Sequence, residues 1–221
     1  MSAEWTRHSL VAAGLLAAFA LAGGAMVAFT HRFTADEIEA QQNAAVRERL
    51  TSILPASAYD NDIARDTTTV IAPEALGSDE PLTVYRARQD GAPVAAVLTV
   101  IAPNGYNGAI RLLVGVRFDG TLAGVRVIRH QETPGLGDAI EADKSDWTEQ
   151  FPGRSLGDPP TEDWAVAKDG GAFDQITGAT ITPRAVVQAV RRALVYFRAH
   201  RDELFTRQEA GTGPADDAVR S

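Results

Sequence analysis

The 221-residue chain is 45% hydrophobic and 23% charged, the balance of an ordinary globular protein, which excludes wholesale disorder. Its net charge is -8, and setting residues 1–32 aside (Arg7, Arg32 and Glu4) leaves 19 basic against 28 acidic residues, which speaks against nucleic acid as a partner. The absence of cysteine excludes disulfides, thiolate metal sites, Cys-ligated iron–sulfur clusters and a Cys nucleophile.

No Asp, Glu, Lys or Arg occurs between Arg7 and Arg32. Within this gap Ser9–Thr30, SLVAAGLLAAFALAGGAMVAFT, would reach about 33 Å as a helix, enough for a hydrocarbon core of about 30 Å. Residues 9–30 are expected to be a retained transmembrane helix, with residues 1–8 cytoplasmic. The competing reading is a cleaved signal peptide ending at a small-residue triplet such as Ala18-Phe19-Ala20, although secretory apolar cores run to only about 7–15 residues. Either way the body is exported, and Asp36, Glu37 and Glu39 after the span agree with that side. With no ionisable residue inside the span, this chain alone is a poor candidate for an ion path.

Thr34-Ala35-Asp36-Glu37 fits a capping box, and Ile38, Val46, Leu50, Ile53 and Leu54 form a stripe that stops at Pro55, so a juxtamembrane helix is expected over residues 31–55. Residues 56–81, rich in Asp, Thr and Pro, read as loop with one short strand around Thr68–Ile71. From Leu82 the period changes. Leu82–Arg88 and Pro93–Ile101 flank Asp90-Gly91, and Ile110–Phe118 and Thr121–Arg129 flank Asp119-Gly120. Two such pairs predict an antiparallel sheet of at least four strands. Short helices are expected near Asp138–Ala142 and Ser145–Phe151, and a further strand over Trp164–Lys168. Thr182 before Pro183 reads as the N-cap of a last helix running to about Phe205, with Val186, Val187, Val190, Leu194 and Phe197 on its apolar face. Residues 207–221 read as a disordered tail. The fold class is therefore α+β: one transmembrane helix, then a domain over 56–206 with an antiparallel sheet flanked by helices.

Two stretches carry chemistry. In Asp174-Gln175-Ile176-Thr177-Gly178-Ala179-Thr180, small residues at Gly178 and Ala179 let a ligand approach the backbone, and the helix that follows presents free N–H groups and a positive dipole end to a phosphate. In His130-Gln131-Glu132-Thr133-Pro134-Gly135-Leu136-Gly137-Asp138, proline and two glycines set a rigid rim after the last strand. Taken singly, each also reads as an ordinary strand-to-helix connection whose threonines or aspartate cap backbone groups. The four histidines are too dispersed for a metal site, and His130 reads as structural or as a proton donor.

Together, Glu-Thr-Pro-Gly-Leu-Gly and the later Thr-Gly-Ala-Thr resemble the FMN-binding subunits of redox-driven ion-pumping membrane complexes, the Rnf complex and the sodium-translocating NADH:quinone reductase. Gly137-Asp138-Ala139-Ile140, Lys144-Ser145-Asp146-Trp147 and Phe151–Leu156 resemble the G subunit of Rnf, while the C subunit of the reductase is similar in its main motifs and usually longer. The resemblance implies a single-pass protein of the bacterial inner membrane with a periplasmic, FMN-binding domain that passes electrons between neighbouring subunits of an ion-translocating oxidoreductase. It implies FMN joined covalently through its phosphate to the hydroxyl of Thr180 by a flavin transferase, with Asp174 opening the transferase's recognition pattern and Thr177 standing where serine is common. Gly178, Ala179, Glu132, Thr133, Leu136 and Gly137 are then expected around the cofactor. Lys144, one of only two lysines, is expected to reach the phosphate or a flavin carbonyl, and Trp147 either to line the flavin or to pack on the sheet. Expected partners are the other subunits, the transferase and membrane lipid. The rival readings are a membrane-anchored domain that binds FMN reversibly as a sensor, and a structural subunit that has lost its flavin.

Overall fold

The computed structural model describes residues 46–206 together with 16–17, 19–21, 23–24 and 26. The chain divides into two compact units, Met1–Val46 and Arg47–Ser221. In the first, the described residues are helical, and Leu16, Phe19, Leu21 and Met26 are exposed apolar side chains. Among the described residues no helix is long and apolar enough to cross a membrane. The expected span over 9–30 lies largely outside them, as do the first part of the expected juxtamembrane helix and the tail from 207.

The second unit is built on a five-stranded antiparallel meander in the order β1-β2-β3-β4-β5: Thr67–Val70, Leu82–Gln89, Ala92–Ala102, Ile110–Arg117 and Leu122–Arg129. Both anticipated hairpins are present. Between β2 and β3, Asp90 and Gly91 take φ of 51° and 77°, the two consecutive positive values that a right-twisted two-residue turn demands. Between β4 and β5 the Asp119 carboxylate accepts the backbone N–H (2.8 Å) and hydroxyl (2.7 Å) of Thr121. These bonds favour its ionised form and hold its carboxyl below the usual aspartate range. The anticipated short strand is β1, an edge strand paired with β2.

A single turn α1 (Pro73–Leu76) and the long α2 (Ile181–Phe205) complete the layer, and residues 47–51 are also helical. The α2 stripe Val186, Val187, Val190, Leu194 and Phe197 is buried as its spacing predicts, in one core with Leu98, Val100, Leu112 and Val114 of the sheet. Leu50, Ile53, Leu54 and Ile63 are buried outside that core. Ile53 lies directly on Gly115 and Gly124, cross-strand partners on β4 and β5, and a Cβ at Gly115 would collide with its side chain.

Three expectations change. Trp164–Lys168 is not a strand: it makes one isolated bridge, Val166 to Phe173, and a 3-10 turn at Ala167–Asp169. Its apolar residues serve an aromatic cluster instead, in which Phe173 stacks on Phe151 (centroids 5.0 Å apart) and meets Trp164 at 4.8 Å. The two expected short helices are four-residue 3-10 turns, Gly137–Ile140 and Trp147–Gln150, too short to gain from helix propagation. Helix α2 begins at Ile181, so its N-cap is Thr180 rather than Thr182.

The far end of α2 is held by two arginines of β2. Arg86 is buried, lies 2.6 Å from Asp66, and donates to the carbonyls of Thr67 (3.1 Å) and Thr206 (3.2 Å). Arg88 pairs with Asp66 at 2.8 Å and donates to the Phe205 carbonyl at 2.9 Å. Cations here satisfy the unpaired carbonyls of the last helical turn and oppose its negative dipole end. Arg86→Ala leaves the Thr67 and Thr206 carbonyls without this donor and Asp66 with Arg88 as its remaining cation, and is expected to destabilise the domain by about 1–3 kcal/mol. A urea unfolding curve whose midpoint is unmoved would contradict this role.

Candidate functional site

At the end of the sheet where β3 and β5 terminate, three segments meet on one carboxylate. Glu132, three residues after β5, is buried; its Oε1 accepts the backbone N–H of Asn107 (3.1 Å) in the β3–β4 loop, and its Oε2 accepts the hydroxyl of Thr182 in the first turn of α2. Asn107 Nδ2 adds a bond to Thr133 Oγ1 (3.1 Å). A Cβ at Gly137 would stand 2.9 Å from Glu132 Oε2 and 3.0 Å from Thr182 Oγ1, so only glycine lets the rim close over this clamp. The hydroxyl that the Thr-Pro pattern assigns to helix capping is thus claimed by a carboxylate fifty positions away.

The second motif is held from the other side. Trp147 Nε1 donates to the Asp174 carbonyl (2.7 Å), and Gln150 Oε1 accepts the Asp174 N–H (2.7 Å). Downstream the chain makes a tight turn in which Ala179 N–H donates to the Ile176 carbonyl (3.1 Å) and Gly178 takes φ of 82°. A Cβ on Gly178 would lie 2.7 Å from Leu136 Cδ2, so this is also where the two motifs touch.

Two hollows flank the junction. One, of about 410 Å³, is lined by Glu132, Thr133, Leu136, Gly137, Gly178, Ala179 and Thr180 together with Tyr106, Ile181 and Thr182. The other is an open cleft of about 1140 Å³ bordered by Trp147, Gln150, Asp174, Ile176, Thr177, Gly178 and Thr180. Thr180 belongs to both. It is half-buried at the N-cap of α2, its side chain does not cap the helix, and its hydroxyl makes no hydrogen bond among the described residues. By contrast, Thr182 is 1% exposed with its hydroxyl committed, and Thr177 is exposed on the turn. Tyr106 (64% exposed), Leu136 (43%) and Ile181 (45%) leave apolar surface uncovered around the smaller hollow, as a site for a flat aromatic ligand requires.

Lys144 stands outside both hollows. It is held at 2.8 Å by Asp138 and at 2.9 Å by Glu141. The Lys144 ammonium, hydrogen-bonded to each, keeps both carboxyls below their ordinary range, and they in turn raise Lys144. His130 completes the network: Nδ1 accepts the Glu132 N–H (3.0 Å), which places a neutral ring's proton on Nε2, 2.7 Å from Glu141. The lysine on the cleft wall is Lys168, facing Asp146, Glu149 and Asp174. Tyr106, Lys168 and Glu149 escape the sequence reading. Tyr106 sits in the Pro103–Gly108 loop, whose two Asn and two Gly mark it as tightly turned; nothing local marks Lys168.

A hollow at a helix N-terminus rimmed by exposed apolar groups can receive a phosphate beside a flat aromatic group, and residues 105–195 match the family of FMN-binding domains. Residues 1–53 match the RnfG N-terminal region. The chain is 50% identical over 210 residues to the G subunit of the ion-translocating oxidoreductase complex of Pseudomonas aeruginosa (strain UCBPP-PA14), covering 95% of this chain and 98% of that one. It is 45% identical over 192 residues to the protein of the same name in Shewanella baltica, 87% of this chain and 91% of the other. The crystal structure of Shewanella oneidensis NqrC covers 67% of this chain and 72% of its own at 24% identity, with a TM-score of 0.45, too slight a likeness to argue from. The chain belongs to the family of G subunits of ion-translocating oxidoreductase complexes, the family its two motifs resemble.

The Lys144 network has a pH signature. Carboxyls with depressed folded-state values stabilise the fold above their unfolded values of about 4, and that contribution is lost as pH falls through the lower, folded ones. Lys144→Met removes the cause of the depression, so its acid unfolding midpoint, followed by circular dichroism, is expected at higher pH than the parent's. Coincident acid transitions would show that the network does not stabilise the fold.

Proposed function

We propose that this chain is the FMN-carrying electron-transfer subunit of a membrane-bound ion-translocating oxidoreductase, with the flavin joined through its phosphate to Thr180 Oγ1. The observation that carries this reading is the state of that one hydroxyl. It is sterically accessible from two hollows, unbonded among the described residues, and placed where the first N–H groups of α2 are free. FMN supplies reversible uptake of electrons and protons; the chain supplies position and a polar or apolar setting.

Attachment needs an activated flavin phosphoanhydride delivered by a flavin transferase. The Thr180 Oγ1–P bond forms, the anhydride P–O bond breaks with the other half of the anhydride leaving as a free monophosphate, and the hydroxyl proton leaves to a base on the transferase. Asp174, exposed at the mouth of the cleft with its backbone pinned by Trp147 and Gln150, is the fixed feature by which the transferase would recognise the segment. Gly178 keeps the turn narrow enough for the phosphate to approach.

Electrostatics favour a covalent tether over reversible binding. The larger cleft is lined by Asp146, Glu149 and Asp174 against Lys168, and Glu149 is paired with Arg126 at 3.0 Å, so the cleft offers a phosphate no net positive field. The α2 dipole offers only about 0.3–1 kcal/mol in return. A bond holds the flavin where charge does not. The exposed apolar side chains of the amino-terminal unit support an anchor over 9–30, which leaves the domain on the periplasmic side among the other subunits.

Thr180→Ala, made alongside a functional transferase, is expected to give a folded, membrane-inserted protein with no flavin fluorescence after denaturing electrophoresis. Thr177→Ala should keep the flavin. Thr182→Ala should keep it too while losing about 1–3 kcal/mol of stability, because Glu132 is left with an unpaired oxygen in a buried position. A Thr180→Ala protein that still carries denaturation-resistant flavin would sink the assignment, and a parent whose flavin washes out on denaturation would favour the reversible sensor.

Topology has its own check. A reporter active only in the periplasm, fused after Phe205, is expected to be active, with the mature chain beginning near Met1. A new amino terminus just after Ala20 would replace the anchor with a cleaved signal.

A further inference from the structure

The same end of the sheet holds a second, oppositely charged feature. Arg111 on β4 and Arg129 on β5 are direct cross-strand partners. They become partners only through an irregularity: Leu112 pairs with Val127, so a regular ladder would set Ile128 opposite Arg111, and one extra residue in β5 sets Arg129 there. Like charges directly opposite one another on a sheet are destabilising. Despite the chain's net charge of -8, neither arginine has an ion pair or hydrogen bond among the described residues. Both line a cavity of about 350 Å³, with Ser78 and the Gln131 side chain on its wall. Ile101, the β3 partner of Arg111, forms its floor, pressed by Gly77 at the end of α1.

We propose that Arg111 and Arg129 form a binding site for a phosphate group. Two guanidinium forks present more donors than a planar carboxylate can accept, whereas a tetrahedral phosphate accepts a bidentate pair from each, and the Gln131 amide adds a further donor. Arg111, Arg129 and Gln131 line neither hollow at Thr180, so this site is separate from the flavin's attachment point. Free phosphate and the headgroup of an anionic phospholipid share this chemistry.

The test uses the full-length chain in detergent, with thermal unfolding followed by tryptophan fluorescence at constant ionic strength. Inorganic phosphate at roughly a hundredfold its dissociation constant is expected to raise the parent's midpoint by about 5–10 °C. Arg111→Gln and Arg129→Gln should abolish that rise. Without phosphate the same variants should melt at or above the parent, because the like-charge opposition is relieved. Nanodiscs of phosphatidylcholine, with and without phosphatidylglycerol, separate the two sources. If the headgroup is the ligand, the anionic discs raise the parent's midpoint and added phosphate does nothing more; if free phosphate is, its effect is equal in both discs. A rise shared by parent and variants, no rise in any condition, or variants that melt well below the parent without phosphate would each overturn the proposal.

Discussion

A single buried carboxylate, Glu132, fixes the relation between the parts of this site. It accepts from the β3–β4 loop through Asn107 and from the first turn of α2 through Thr182, while its own backbone N–H is accepted by His130 at the end of β5. A buried carboxylate tolerates such a position only when its oxygens are satisfied, so each of these partners is a condition on the others. The consequence falls on Thr180, two residues before Thr182. Once Thr182 is drawn inward, the helix opens two residues earlier than a simple Thr182 cap would place it, and Thr180 takes the N-cap position with φ and ψ of -92° and -34°. A capping threonine uses its hydroxyl on the N2 or N3 amide from an extended conformation; this one sits in the helical region and makes no such bond. The clamp thereby leaves a hydroxyl chemically free at the point where a phosphate is best received.

What is legible in the sequence follows from the range of the interactions involved. Both hairpins are readable because Asp90-Gly91 and Asp119-Gly120 specify their turns locally, and the α2 stripe because 3.6-residue spacing is a property of the helix itself. The start of α2 differs from the Thr182 cap because a carboxylate fifty residues away decides it. Trp164–Lys168 differs from a strand because its apolar residues meet Phe173 and Phe151 in a cluster that local alternation does not encode. Of the site residues, the two motifs do converge: Glu132, Thr133, Leu136 and Gly137 share one hollow with Gly178, Ala179 and Thr180, and Thr177 and Asp174 lie on the adjoining cleft. Proximity in sequence puts Lys144 near the cofactor, but Asp138 and Glu141 lie closer in space and hold it.

The clamp and the Lys144 network form one continuous support. His130 links them, accepting the N–H of Glu132 with one nitrogen and meeting Glu141 with the other. Glu141 is bonded to Lys144 and Lys144 to Asp138, which lies in the 3-10 turn directly after Gly137. The rim that carries Leu136 is therefore anchored on both sides, and Leu136 is the side chain that touches the Gly178 turn. An electron carrier gains from such rigidity, because each turn of its cycle changes the charge on the cofactor and a fixed surround has less to rearrange.

Charge around this end of the sheet is distributed by function rather than by average composition. The cleft beside Thr180 is lined by more carboxylates than cations, which disfavours loose anions. Lys168 is the cation on its wall, and several arginines are placed elsewhere. Arg86 and Arg88 close the far end of α2, Arg184 pairs with Asp169 on its flank, and Arg111 and Arg129 are set together by a bulge. None of these arginines borders either hollow at Thr180. An arginine fork there would hold a phosphate reversibly through paired hydrogen bonds; in its place the lining offers the Thr180 hydroxyl at the head of a 25-residue helix, the group on which the proposed attachment rests.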